Sequence, residues 1–406
     1  MLFLLILGKH LAPNESLRQN CAQMNIPPLI DTALTLSDDE MRRYSRQTVI
    51  PDIALEGQGR LKNAKIVCVG AGGLGSPILM YLASAGVGTI GIVEFDKVDE
   101  SNLQRQIIYS NSDVGKSKAE IAKKKISEIN PFVKIVTHQF KLSSSNVMEI
   151  FKDYDLIIDG TDNFATRYLI NDACVLLKKP LIWGSVLRFD GQASVFWSQH
   201  GPCYRCLHPT PPTDSSNCSE AGVLGVLCAS IGSIQATEAI KLITGIGESL
   251  IGSLITFDAL LMKFSSLKLS KDPNCIACGE NPTLHTLLED YEGFCQPPSL
   301  SEISVHELKS KMENGAEFYL VDVREPHEFE IVKIPGGELI PLAGILDGSA
   351  LSKMPFDKDI IVYCRSGKRS ATALAALKVA GFKRSTHVVG GVLAWAQEID
   401  PTCTVY

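Results

Sequence analysis

A glycine-rich turn does most to limit what this chain can become. Gly70-Ala71-Gly72-Gly73-Leu74-Gly75 follows the apolar run Lys65–Gly70 (KIVCVG) and opens a stretch with apolar residues at helical spacing, Ser76–Ala85. A buried strand that turns so tightly into a helix begins a βαβ unit, and such units build mostly parallel sheets covered by helices on both faces. Glycines let the backbone approach an anion, and the helix N-terminus presents free N–H donors at the positive end of its dipole. The same G-x-G-x-x-G serves ATP, NAD and FAD, and also occurs as a plain tight turn. There is no G-x-x-x-x-G-K-[ST] loop: Gly115-Lys116-Ser117 has Ser110 where the first glycine is required.

The alternation continues beyond the turn. Strands are expected over Thr89–Asp96, Lys134–Phe140, Asp155–Gly160, Pro180–Val186, Gln192–Trp197 and Leu254–Phe257, and helices over Lys116–Ile129, Phe164–Leu177 and Gly222–Thr244. A short helix near Ser37–Gln47 carries a capping box, Ser37 with Glu40. The pattern breaks around 281–300, among Pro282, Pro297 and Pro298. A second alternation follows, with strands at Phe318–Val323, Asp359–Cys364 and Thr386–Val389 and a helix at Ser370–Ala380. The chain thus reads as α/β throughout. We expect an N-terminal extension (1–36), a Rossmann-like domain with a mostly parallel sheet (37–285), a linker (286–299) and a small α/β domain (300–406).

A net charge of -6 argues against a nucleic-acid binder driven by bulk charge. No apolar run reaches the ~18 residues that span a bilayer, and Leu2–Leu7 lacks the flanks of a signal peptide, so no membrane association and a cytoplasmic location are expected. In that compartment the 12 cysteines point to metal ligation or thiol chemistry rather than disulfides.

Three charged residues follow the glycine turn: Arg105 in SNLQRQ (101–106), Lys118 in GKSKAE (115–120) and Asp162 in DGTDN (159–163). Two cations and a carboxylate just past a strand's C-terminal end suit a triphosphate with Mg²⁺. By position alone the cations also read as solvated surface, and Asp162 as the N-cap of the helix at Phe164. Cys203-x-x-Cys206 and Cys275-x-x-Cys278 suit one closed, structural Zn²⁺ site of four thiolates. Cys218 lies in a polar, proline-containing stretch and reads equally as a surface residue or a nucleophile. Cys68, Cys174 and Cys228 sit in apolar segments and are expected in the core. Cys364 opens Cys364-Arg365-Ser366-Gly367-Lys368-Arg369 between a strand and a helix. Free N–H groups, the helix N-terminus and three cations there favour a thiolate or a persulfide anion.

RYSRQ (43–47), GAGGLGSP (70–77), SNLQRQ, DGTDN and GVLG…QATEAIK (222–241) resemble the ThiF/MoeB-type adenylyltransferases, relatives of the ubiquitin-activating enzymes, over roughly residues 37–280. The resemblance implies ATP-dependent adenylation of the C-terminal glycine of a ubiquitin-like protein. It places the nucleotide on Gly70, Gly72, Gly73 and Gly75, with Glu94 at the ribose where the family usually has Asp. Ser101, Asn102, Leu103, Gln104, Arg105, Lys118, Asp162 and Asn163 complete the nucleotide site. Phosphate falls to Asn102, Arg105 and Lys118, and Mg²⁺ to Asp162. Arg46 resembles an arginine that reaches into a neighbouring subunit, which implies a homodimer. The paired cysteines match the family's zinc spacing, and Cys218 stands where enzymes that activate sulfur carriers form a covalent link to the carrier.

Residues 300–406 resemble a rhodanese domain on DVRE (322–325), IPGGELIPL (334–342), CRSGKRS (364–370) and GGVLAW (390–395), departing from it at Val332-Lys333 where many relatives have Gly-His. A six-residue loop is the sulfurtransferase form. The whole resembles MoeB–rhodanese fusions. That implies sulfur transfer from a Cys364 persulfide to an adenylated MoaD/ThiS-like carrier, giving a thiocarboxylate for molybdopterin or another sulfur-requiring pathway. The sulfur would come from a cysteine desulfurase or thiosulfate. The alternative is a flavin or NAD oxidoreductase fused to rhodanese.

Overall fold

The computed structural model describes residues 26–212, 222–295 and 301–403, and the chain divides into two units, Met1–Cys295 and Gln296–Tyr406. In the first unit the apolar runs become β1 (Lys65–Val69), β2 (Thr89–Val93), β3 (Lys134–His138), β4 (Leu156–Asp159) and β5 (Leu181–Leu187), followed by β6 (Asp190–Phe196), β7 (Ser253–Asp258) and β8 (Lys263–Lys268). They form one sheet in the order β3-β2-β1-β4-β5-β6-β7-β8. β1 to β5 pair in parallel, whereas β5 to β8 pair antiparallel.

The long helices are α1 (Gly75–Ala85), α2 (Lys118–Ile129), α3 (Phe164–Leu177) and α4 (Gly225–Thr244). Alternate strand residues point to opposite faces of a sheet, and the two buried clusters divide accordingly. Ile66 and Cys68 of β1 join α1, α2 and α4 in one core, while Val67 and Val69 join α3 and Trp183 in the other. At about 1.5–3 kcal/mol per fully buried aliphatic side chain, these faces hold the unit together. α4 is long and apolar enough to cross a membrane by length and composition, contrary to the expectation from apolar runs. Here Leu227, Ile231, Ala239 and Leu242 are buried in the first core.

The expected strands and helices appear within a few residues of their predicted ends, and Ser37 and Glu40 form the expected capping box. The antiparallel half of the sheet was not anticipated. Nor was β8, whose side chains are nearly all exposed and so give no apolar run to read. Residues expected to begin the linker are instead packed structure. A short helix, Tyr291–Cys295, follows the second cysteine pair, and Tyr291 Oη donates to Asp172 Oδ2 at 2.7 Å.

Asp172, on α3, is a buried hub. It accepts from Arg205 Nε and Nη2, both at 2.7 Å, and from Asn171 Nδ2 at 3.0 Å. Arg205 is itself buried and lies over the rings of Tyr168 and Phe294, at 4.8 and 4.9 Å. One carboxylate therefore ties α3 to the Cys203–Cys206 turn and to the segment ending at Cys295.

The second unit carries β9 (Glu302–Ile303), β10 (Phe318–Asp322), β11 (Glu338–Leu339), β12 (Asp359–Tyr363) and β13 (Ser385–Val388), all parallel, in the order β11-β10-β12-β13-β9. Helix α5 (Lys368–Val379) follows β12. Val321 and Val362 face one core, and Leu320 and Ile361 the other.

Removing one partner of a buried ion pair leaves an uncompensated charge. Arg205→Met should therefore destabilise the first unit by about 3–5 kcal/mol, read as a lowered urea midpoint for its unfolding transition.

Candidate functional site

The glycine turn is built on close backbone approach. Gly70 has φ +91°, and a Cβ on it would lie 2.9 Å from the Gly160 carbonyl oxygen. A Cβ on Gly75 would lie 2.1 Å from the Gly70 carbonyl oxygen, so α1 can start hard against the turn only as glycine. Ser76 Oγ donates to the Gly72 carbonyl at 2.7 Å. Above the turn, at the C-terminal ends of the parallel strands, is a cavity of about 380 Å³.

Gly70, Gly72, Gly73, Glu94, Arg105, Lys118, Asp162 and Asn163 all line this cavity. Glu94 is buried, and its carboxylate braces the turn: it accepts from the backbone N–H of Ala71 at 3.0 Å and from those of Phe95 and Asp96 at 2.9 Å. Lys118 is also buried, with Nζ 3.4 Å from Asp96 Oδ2. Arg105 Nη1 donates to the Ser101 carbonyl at 3.1 Å. The N-cap of α3 is Asn163, whose Oδ1 accepts from Thr166 N at 2.9 Å. The capping alternative for Asp162 therefore falls away.

Other expected residues lie elsewhere. Gly75 packs beneath the turn. Ser101, Asn102, Leu103 and Gln104 shape a short turn beside the cavity without lining it, with Ser101 Oγ and the backbone N–H of Ser101 donating to Asp99 Oδ1. Arg46 is exposed on the helix Ser45–Thr48 and is absent from the lining. Cys218 lies outside the described residues. Cys68 and Cys174 are buried as expected. Cys228 is buried too, but it lines the cavity, its Sγ 2.8 Å from where a Cβ on Gly73 would sit.

The sequence reading missed Asp96, Arg167 and Gln106 in the lining. Arg167 sits on α3, buried against the Trp183 ring at 5.7 Å, with Nη2 donating to the Thr161 carbonyl at 3.1 Å and Nε without a hydrogen bond. Asp159, at the end of β4, is fully buried, which pushes its carboxyl above the usual carboxylate range despite the opposing charge of Arg167. A charge inside a predicted helix gives no sequence signal that it faces a cavity.

The four cysteines of the two pairs come together. Their sulfurs lie within 4.8 Å of one another, with Cys203–Cys275 at 3.6 Å, Cys206–Cys278 at 3.5 Å and Cys203–Cys206 at 4.0 Å. Zn–S bonds of about 2.3 Å in a tetrahedron place sulfurs about 3.8 Å apart, so the cluster could hold a zinc ion. Asp272 N donates to Cys206 Sγ at 3.4 Å, the kind of outer hydrogen bond that steadies a thiolate ligand.

In the second unit Cys364 stands at the end of β12, almost fully buried, and its Sγ accepts from Gly367 N at 3.1 Å. Gly367 has φ +97°, the backbone turn that aims its N–H at the sulfur before α5 begins. Of the three loop cations, Arg369 is engaged in a two-point pair with Glu328, at 2.6 and 2.7 Å, Lys368 is exposed and Arg365 is half-buried; Ser366 between them is exposed. The sequence reading missed Ser370, whose buried Oγ lies 3.6 Å from Cys364 Sγ.

Comparison with known proteins agrees with both halves. Residues 44–277 match the ThiF family, and residues 304–398 match the rhodanese-like domain. The chain is 50% identical to the probable adenylyltransferase/sulfurtransferase MoeZ of Mycobacterium tuberculosis, over 94% of this chain and 99% of that one. It is 41% identical to the adenylyltransferase and sulfurtransferase MOCS3 of Drosophila ananassae, over 91% and 86%. Among solved structures, E. coli MccB crystallised with MccA-N7isoASN shares the fold, with a TM-score of 0.54 at 23% identity over 60% of this chain and 75% of that one. These matches give no support to an oxidoreductase. The chain belongs to the ThiF family and carries a rhodanese-like domain after its ThiF portion.

Proposed function

We propose that this two-domain adenylyltransferase and sulfurtransferase activates the Gly-Gly tail of a ubiquitin-like sulfur carrier with ATP and converts it to a thiocarboxylate. The observation that carries this reading is the convergence of Gly70, Gly72, Gly73, Arg105, Lys118 and Asp162 on one cavity, in a chain that also aims a backbone N–H at Cys364. The ionised tail carboxylate attacks the α-phosphorus of ATP, the bond to the β-phosphate oxygen breaks, and pyrophosphate leaves. The nucleophile needs no general base. Arg105, Lys118 and the amides of the glycine turn offset the charge that develops on the phosphates. Glu94 faces the ribose. Asp162 would hold Mg²⁺, which neutralises phosphate charge when bound. Arg46 serves the partner subunit of a homodimer.

Cys364 takes sulfur from a cysteine desulfurase or thiosulfate and carries it as a persulfide. Its outer sulfur attacks the acyl carbon and AMP leaves, giving an acyl disulfide. Cys218 then attacks the Cys364 sulfur, releasing the thiocarboxylate and leaving a disulfide for an external thiol to reduce. In the second order of events Cys218 holds the carrier beforehand as a thioester. Cys203, Cys206, Cys275 and Cys278 hold a structural zinc. Leu260, Leu261, Met262 and Phe264, all exposed at the β7–β8 hairpin, offer an apolar surface suited to a protein substrate. The enzyme works in the cytoplasm, serving molybdopterin synthesis or another thiolation pathway.

Incubating the full-length protein with ATP, a sulfur source and a carrier ending in Gly-Gly should add one oxygen-to-sulfur exchange to the carrier's mass. An unchanged mass would overturn the proposal. Asp162→Ala should slow carrier-dependent pyrophosphate exchange into ATP by about 100-fold or more. Cys364→Ala should abolish thiosulfate:cyanide sulfur transfer and leave that exchange intact. Elemental analysis should find one zinc per chain, lost together with thermal stability in Cys275→Ser.

A further inference from the structure

Among the buried titratable groups of the second unit, His387 is linked to Cys364 through a single hydroxyl. His387, on β13, is 4% exposed, and Ser370, in the first turn of α5, is fully buried. Ser370 Oγ lies 3.6 Å from Cys364 Sγ, 3.0 Å from the Gly367 carbonyl oxygen and 3.4 Å from His387 Nδ1. His387 Nε2 lies 3.2 Å from Glu302 Oε1 on β9. Sulfur, hydroxyl, imidazole and carboxylate therefore form one chain across the sheet. Around His387, β9 contributes Glu302, and α5 contributes Ser370 with Cys364 behind it. The register partner on β12 is the apolar Val362.

The serine has one hydroxyl proton, and several acceptors compete for it. A carboxylate only accepts, so Glu302 holds a proton on Nε2. In the neutral imidazole Nδ1 is then an acceptor and competes, beside the Gly367 carbonyl, with the sulfur for the hydroxyl proton. In the imidazolium Nδ1 becomes a donor. It occupies a lone pair of Ser370 Oγ and removes one competitor for the hydroxyl proton, which is then shared between the Gly367 carbonyl and Cys364 Sγ.

We propose that His387 is a positioning residue for the sulfur-carrying cysteine, acting through Ser370: its imidazolium form supplies a hydrogen bond to the Cys364 sulfur that its neutral form withdraws. This rests on Cys364 being the sulfur carrier. When the persulfide is discharged to cyanide, cyanide bonds to the outer sulfur, the S–S bond breaks, its electron pair stays on Cys364 Sγ, and thiocyanate leaves. The hydrogen bond from Ser370 stabilises that developing thiolate.

The test loads full-length protein with thiosulfate and follows single-turnover discharge to cyanide across a pH series. Variants are compared with wild type at each pH, so that cyanide's own ionisation cancels. His387→Asn should be slower than wild type by about tenfold in acid, the worth of a hydrogen bond to a charged group, and equal to it in alkali. Ser370→Ala should show a similar loss in acid. The double variant should lose no more than Ser370→Ala alone, since the histidine acts only through the serine. A wild-type to His387→Asn ratio that does not change with pH overturns the proposal, as does a double variant that loses the product of the two single effects. Should His387→Asn lose its thermal transition, Glu302→Gln decides, because that carboxylate is largely exposed. Its acid advantage should fall about twofold, a fraction of one hydrogen bond, and a Glu302→Gln protein identical to wild type at every pH overturns the idea. Cys364→Ala is the control: discharge that persists in it refutes the sulfur-carrier reading itself, whatever His387 does.

Discussion

Backbone against backbone, at Gly70, Gly75 and Gly160, is the contact on which the nucleotide end of this molecule depends. With Cβ positions on Gly70 and Gly75 falling 2.9 and 2.1 Å from neighbouring carbonyl oxygens, no side chain fits between the turn, the first turn of α1 and the end of β4. That closeness brings the ends of β1 and β4 together beneath one cavity, so that a carboxylate just past β4, a cation from the loop after β2 and another from the start of α2 can face the same space. Glu94 extends the constraint sideways by accepting three backbone N–H groups, which fix the end of β2 to the turn. The polar residues of the cavity are thus positioned by main chain.

The second unit reaches a related arrangement by different means. A central parallel strand ends, the chain turns through one residue at positive φ, and a helix starts. In the first unit the turn is almost all glycine and leaves a cavity open above it. In the second the strand ends on a cysteine, and the turn wraps a single sulfur. Both use the same physical resource, N–H groups not yet spent on helix hydrogen bonds.

What the sequence disclosed and what it hid divide along physical lines. The buried parallel strands announce themselves as apolar runs, and the four-cysteine cluster as paired spacing. The antiparallel half was hidden because an apolar run carries no strand direction, and β8 because nearly all of its side chains are exposed. Tyr291 was hidden because the carboxylate that fixes its hydroxyl is 119 positions away. In the sites, motif residues were legible, whereas Arg167 and His387 were not. Each lies in an element that reads as ordinary helix or strand, and only tertiary packing turns it toward the chemistry.

The segment between the second cysteine pair and Cys295 is held at both ends, by thiols at one and by Asp172 at the other. Its anchoring is therefore an oxidisable one. Were Cys203 to pair with Cys206 and Cys275 with Cys278 as disulfides, the sulfurs would no longer link the two turns, and the segment would be held by its hydrogen bond to Asp172 and its packing alone.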